Sequence, residues 1–117
     1  VTIDQALTDG FVGEFEHRGL RCVVRLSAVD APCGYVLFDS EDEYAEESFS
    51  EVPVHGGVTF FRREGSRHTV GFDMAHDCDM EFVGDRYACS RTVGECERET
   101  RRLADGVLEV LGGNSKL

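Results

Sequence analysis

Lysine is nearly missing from this chain. Its twelve basic residues are eleven arginines and Lys116 alone, against 23 Asp and Glu, for a net charge of −11. Nucleic-acid phosphates are neutralised by Lys and Arg in number, so no nucleic-acid partner is expected. No apolar run approaches the ~18 residues of a membrane span, so no membrane partner is expected either. The five cysteines include no C-x-x-C pair, which argues against a zinc ribbon or a thioredoxin-like motif. A disulfide framework is unneeded at this length, and Cys22 and Cys33 read as small core residues. Val1 runs straight into Thr2-Ile3-Asp4, without the basic start and apolar stretch of a leader. Reduced thiols in a cytoplasmic protein are the resulting expectation.

What the chain does hold is 117 residues, the length of a single domain over 1–117. Abundant Asp and Glu with almost no Lys gives a halophile-like composition. On that reading the acidic surface is a solubility adaptation. The expected fold is α+β: a small, mostly antiparallel sheet of four or five strands packed against a C-terminal amphipathic helix.

Hydrophobic periodicity places the elements. Residues 1–12 suit a short helix, with Thr2-x-x-Gln5 as a capping box; an extra strand is the alternative. Leu20, Cys22, Val24 and Leu26 alternate in a strand over 20–27. Cys33–Phe38 is almost continuously apolar, as in a central strand. Asp39 to Glu47 is an acidic run whose self-repulsion favours a solvated loop, with Tyr44 and Phe49 available to pin it. Val52–Arg62 and Arg67–Asp73 read as two further strands joined by a turn at Arg63-Glu64-Gly65-Ser66. Residues 74–89 read as irregular. Thr92-Val93-Gly94-Glu95 is a second capping box. Behind it Val93, Cys96, Thr100, Leu103, Ala104, Val107, Leu108 and Leu111 recur at helical spacing, and Gly112-Gly113 is the expected stop.

Two polar interruptions mark a candidate site. His55-Gly56-Gly57 breaks an apolar run, where buried polar groups and strand glycines both cost free energy. Asp73-Met74-Ala75-His76-Asp77-Cys78-Asp79 follows the next strand. Asp77 and Asp79 disfavour a thiolate at Cys78, so it is no nucleophile. His17 and His68 read as surface or edge residues. If His55, Gly57 and Thr59 share a strand face, register decides whether Asp73 joins them. A three-residue loop at Glu64-Gly65-Ser66 brings His55, Thr59 and Asp73 together; a two-residue loop separates them.

Several chemistries suit this set. His55, Asp73, His76 and Asp79 are candidate ligands for a divalent metal such as zinc, manganese or iron. Without metal, His55 or His76 is a candidate general base oriented by Asp73, with Gly56, Gly57, Thr59 and Asp79 as ligand-binding positions. The structural alternative has Asp73 capping a turn and His76 making one buried hydrogen bond.

In order and spacing, Cys33-Gly34-Tyr35-Val36, His55-Gly56-Gly57-Val58-Thr59-Phe60 and the segment Gly71 to Asp79 resemble a family of small uncharacterised proteins. These are common in phages and prophages and share C-G-Y-V, H-G-G-[LIV]-T-[FY] and G-F-D-x-x-H-x-x-D motifs. The resemblance implies no activity, and it points to His55, Gly56, Gly57, Thr59, Asp73, His76 and Asp79. The acidic run departs from the family pattern over Asp39 to Glu51. The expected function is a pocket that binds or hydrolyses a small phosphorylated or nucleotide-like ligand. The alternative is an acidic protein–protein interaction module, an inhibitor or decoy without catalysis.

Overall fold

Alternating apolar side chains build one antiparallel sheet from five strands. The computed structural model describes residues 10–27, 31–76 and 79–115. The strands are β1 (Phe11–His17), β2 (Leu20–Leu26), β3 (Pro32–Asp39), β4 (Phe60–Glu64) and β5 (Arg67–Asp73), in spatial order β1-β2-β3-β5-β4. A separate hairpin, β6 (Met80–Val83) and β7 (Arg86–Cys89), precedes helix α1 (Val93–Ser115). The architecture is the expected α+β fold.

Register divides the sheet into two faces. Cys22 opposes Val36, which opposes Val70. With Val24, Phe38 and Phe72 they meet Cys96, Leu103, Ala104 and Val107 of α1 in the main core. The other face carries Val23, Cys33, Tyr35 and Leu37, all buried, with Phe60 packed beside them. The helix stripe is as expected: Cys96, Thr100, Leu103, Ala104 and Val107 are buried, while Arg98, Arg101, Arg102 and Asp105 are exposed. The Glu95 amide donates to Thr92 Oγ1 at 3.1 Å, which caps the first turn.

Close approach of α1 to β3 depends on Gly34. A Cβ there would lie 2.1 Å from Thr100 Oγ1 and 2.5 Å from Phe72 Cε1.

The acidic segment is ordered by its aromatics. Tyr44 and Phe49 are buried against Phe38, and a short 3-10 turn spans Glu46–Phe49. Glu43, Glu46 and Glu47 stay exposed.

Several expectations need correction. Phe11 and Val12 begin β1 instead of ending a helix; the rest of that helix, residues 1–9, lies outside the described residues. The strand expected over Val52–Arg62 is β4, which starts only at Phe60, because Val52–Thr59 is a loop. There Gly56 and Gly57 take φ of 70 and 81, in the left-handed region that breaks a strand. Val52 and Val54 are nonetheless buried, so their alternation records packing and not pairing. Residues 80–89 form a hairpin where irregular chain was expected. The helix runs through Gly112-Gly113 to Ser115. His68 is fully buried, stacked on Phe38 with ring centres 4.9 Å apart. His17 is half-buried and paired with Asp105 at 2.9 Å.

Gly34→Ala tests the helix–sheet contact. We expect a loss of about 1–3 kcal/mol in urea unfolding at unchanged slope. Unaltered stability would show that α1 stands further from β3.

Candidate functional site

The two polar interruptions meet, though not with the partners expected. Val54-His55-Gly56-Gly57 is a tight turn closed by the Gly57 amide donating to Val54 O at 2.8 Å. Positive φ at Gly56 is what such a turn requires at its third position. The His55 amide donates to Glu99 Oε1 of α1 at 2.8 Å. The His55 ring reaches Asp79: Nε2 lies 2.8 Å from both carboxylate oxygens.

Asp79 is the centre of this cluster and is fully buried. Arg91 Nε donates to its Oδ1 at 2.6 Å, and the His76 amide donates to Oδ2 at 3.3 Å. Arg91 Nη1 continues to Glu95 Oε2 at 3.3 Å. Main-chain bonds hold Asp79 in place at the base of the β6–β7 hairpin: its carbonyl accepts from the Ser90 amide at 2.7 Å and from Ser90 Oγ at 2.9 Å. Burial alone would raise the Asp79 pKa. The hydrogen bonds from His55 and Arg91 overcome that and hold it below its ordinary value.

Asp73 sits in a second, smaller group. Its Oδ1 accepts from the Ala75 amide at 3.0 Å, closing a turn of its own, and its Oδ2 accepts from Thr59 Oγ1 at 2.9 Å. The hairpin loop is the two-residue Gly65-Ser66, with Glu64 opposite Arg67 and Phe60 opposite Gly71. That parity would separate Thr59 from Asp73 within a ladder. Thr59 precedes the first ladder pair, so its hydroxyl still turns to Asp73. His55 does not join them.

His76 lies between the two groups. Its Nε2 is 3.7 Å from Asp73 Oδ1, and its ring centre is 5.9 Å from that of His55. That Nε2 is buried without a hydrogen-bond partner, so the single buried bond foreseen for His76 is not made at Nε2. Gly56 is needed here: a Cβ would fall 2.1 Å from His76 Nε2. Gly57 faces open space. Asp77 and Cys78 lie outside the described residues.

The candidate metal set therefore divides. His55 pairs with Asp79, which also accepts from Arg91, while Asp73 accepts from Thr59. Among the described residues no group of three or more His, Cys, Asp or Glu side chains stands ready to hold a metal ion. Sulfur chemistry is also disfavoured where it was assigned to the core: burial pushes the Cys22 thiol up to about 11 and the Cys96 thiol up to about 12.

Sequence reasoning missed Arg91, Glu95 and Glu99, whose places depend on how α1 crosses the sheet. It also missed a cavity of about 420 Å³ on the sheet face away from α1, lined by Arg25, Ser27, Cys33, Tyr35, Thr59, Phe60, Phe72, Asp73 and Ala75. Tyr35 and Phe60 meet edge to face there, 5.4 Å apart. Arg25 Nε donates to Tyr35 Oη at 2.9 Å, and its guanidinium carbon lies 5.5 Å from the ring centre. Arg25 lies opposite Cys33 and Val23 opposite Tyr35, a register that no local sequence pattern announces.

No family model matches the sequence, and no curated protein or solved structure matches it either. No helix among the described residues is long and apolar enough to cross a membrane.

Asp79→Asn probes the buried pairing. Removing the charge leaves Arg91 and His55 to share one neutral acceptor oxygen, at a cost of about 3–5 kcal/mol. The depressed pKa gives the sign of the pH dependence. The folded carboxylate stays ionised to lower pH than the unfolded one, so its stabilisation is present above the ordinary carboxylate range and fades as pH falls through the folded value. Urea melts should therefore show wild type and variant furthest apart near neutral pH and converging below about pH 4. A gap that persists in acid would contradict the pairing.

Proposed function

We propose that this domain binds a small nucleotide-like ligand in the cavity beside Asp73. The observation that carries the reading is the chemistry of the cavity wall. An aromatic pair, Tyr35 and Phe60, flanks a guanidinium at Arg25 and a carboxylate at Asp73. Apolar walls with a few convergent polar groups are the usual make-up of a small-molecule site, and 420 Å³ falls within the usual range of such pockets. A planar base would pack on the aromatic rings. Its exocyclic amine would donate to Asp73, and a phosphate would pair with Arg25. Thr59 positions the Asp73 carboxylate through its 2.9 Å hydrogen bond. His55, His76 and Asp79 are not among the residues lining this cavity, which favours binding over hydrolysis in it.

Isothermal titration with AMP and with adenosine tests this. AMP is expected to bind, and Arg25→Gln to weaken it about tenfold, which is about 1.4 kcal/mol, while adenosine is affected little. Failure of both compounds to bind would remove the reading.

A second reading has its own observation. Buried Tyr44 and Phe49 hold the acidic segment in a fixed shape with Glu43 and Glu46 at a surface cavity of about 530 Å³ that Phe61 and Arg63 also line. A rigid acidic rim suits a basic protein partner. Binding of a lysine-rich peptide should then weaken steeply between low and physiological salt and survive His55→Ala. Salt-insensitive binding, or none, would discard it.

A further inference from the structure

We infer that His55 Nδ1 is a phosphoryl-acceptor site, oriented by Asp79. This rests on the histidine's own geometry and is independent of the cavity reading. Asp79 carries a carboxylate held ionised, and an ionised carboxylate only accepts hydrogen bonds. Nε2 of His55, 2.8 Å away, must therefore carry the hydrogen. In the neutral ring the lone pair is then on Nδ1. No described residue hydrogen-bonds Nδ1. The His55 side chain keeps 21% of its surface exposed while Asp79, at its Nε2 end, is 0% exposed. His55 Nδ1 is not among the buried polar atoms that lack a hydrogen-bond partner, so this unpartnered nitrogen keeps contact with solvent.

The four histidines make an internal comparison. His68 is fully buried, and the His76 Nε2 is buried against Gly56. His17 also pairs Nε2 with a carboxylate, Asp105, at 2.9 Å. Asp105 is 50% exposed, so water competes for it and the ring is not held. His55 is held twice, at Nε2 by both oxygens of a buried carboxylate and at its backbone amide by Glu99. A fixed tautomer with an adjacent carboxylate is how imidazole is readied for attack.

The exposed position suits a donor arriving from solvent, and the donor class is a phosphoramidate, a compound with a phosphorus–nitrogen bond. The Nδ1 lone pair attacks phosphorus and forms a new nitrogen–phosphorus bond. The donor's phosphorus–nitrogen bond breaks, and its electron pair leaves on ammonia, which is already protonated in the zwitterionic donor. Asp79 stabilises the resulting positive ring through the Nε2 hydrogen, and Arg91 keeps that carboxylate ionised.

Incubation of the full chain with potassium phosphoramidate tests this, read by intact mass, peptide mapping and phosphorus NMR. The expected result is one phosphoryl group on His55, as the Nδ1 isomer. His55→Ala should lose the label, and His17→Gln should keep it. Urea-unfolded wild type should lose the preference for His55 and for Nδ1. Asp79→Asn, if circular dichroism shows it folded, should lose the Nδ1 preference. Label on His17 or His76 in place of His55, the Nε2 isomer on folded His55, or no label would each overturn the proposal.

Discussion

A single buried carboxylate ties together the irregular half of this protein. Asp79 receives hydrogen bonds from the His55 ring, the Arg91 side chain and the His76 amide, while its own carbonyl closes the β6–β7 hairpin. Two distant stretches of chain, at His55 and at Ser90-Arg91, therefore converge with the segment from His76 on one residue with no exposed surface. Burying a charge costs several kcal/mol, and the cost is offset only because every partner is in place together. Loss of any one leaves the others with an uncompensated group. The Val52–Thr59 loop has no strand partner of its own over most of its length, and it is held chiefly by His55 and by Val52 and Val54 in the core.

The sheet separates structural from chemical tasks by its two faces. One face is given to α1, and its tight fit at Gly34 leaves no room for chemistry. The other keeps Arg25, Tyr35, Phe60 and Asp73 around a cavity. His55 and Asp79 stand beyond the end of the sheet, where loops and the start of α1 meet. Asp73 and His76, 3.7 Å apart, are the bridge between these regions. The cavity and the His55–Asp79 pair consequently share no residue.

Much of the framework was legible in the sequence. Strands β2, β3 and β5 and the helix with its Thr92 cap stand out because each obeys a local periodicity or a local hydrogen bond. β1 was harder to read: Thr2-x-x-Gln5 suggested a short helix over 1–12, which Gly10 and Gly13 would limit. The β6–β7 hairpin was hidden because its strands are only four residues each and Glu81, Asp85 and Arg86 dilute its apolar signal. Val52–Thr59 misled in the opposite direction, since Val52, Val54 and Val58 alternate as a strand does while two left-handed glycines forbid one.

The sequence by itself determined the α+β class, the face of α1 that is buried, and the segments where polar chemistry gathers. These follow from side-chain spacing, which acts over a few residues. Only the tertiary structure decided which polar groups meet. Asp79, not Asp73, receives His55; Arg91 just before α1 and Glu99 within it are related to the His55 turn by no local pattern; and Arg25 reaches Tyr35 across a strand pair. Such pairings depend on register and on the placement of α1 over the sheet. Both are set by packing of the whole core, so residues tens of positions apart acquire each other as partners only after the chain has folded.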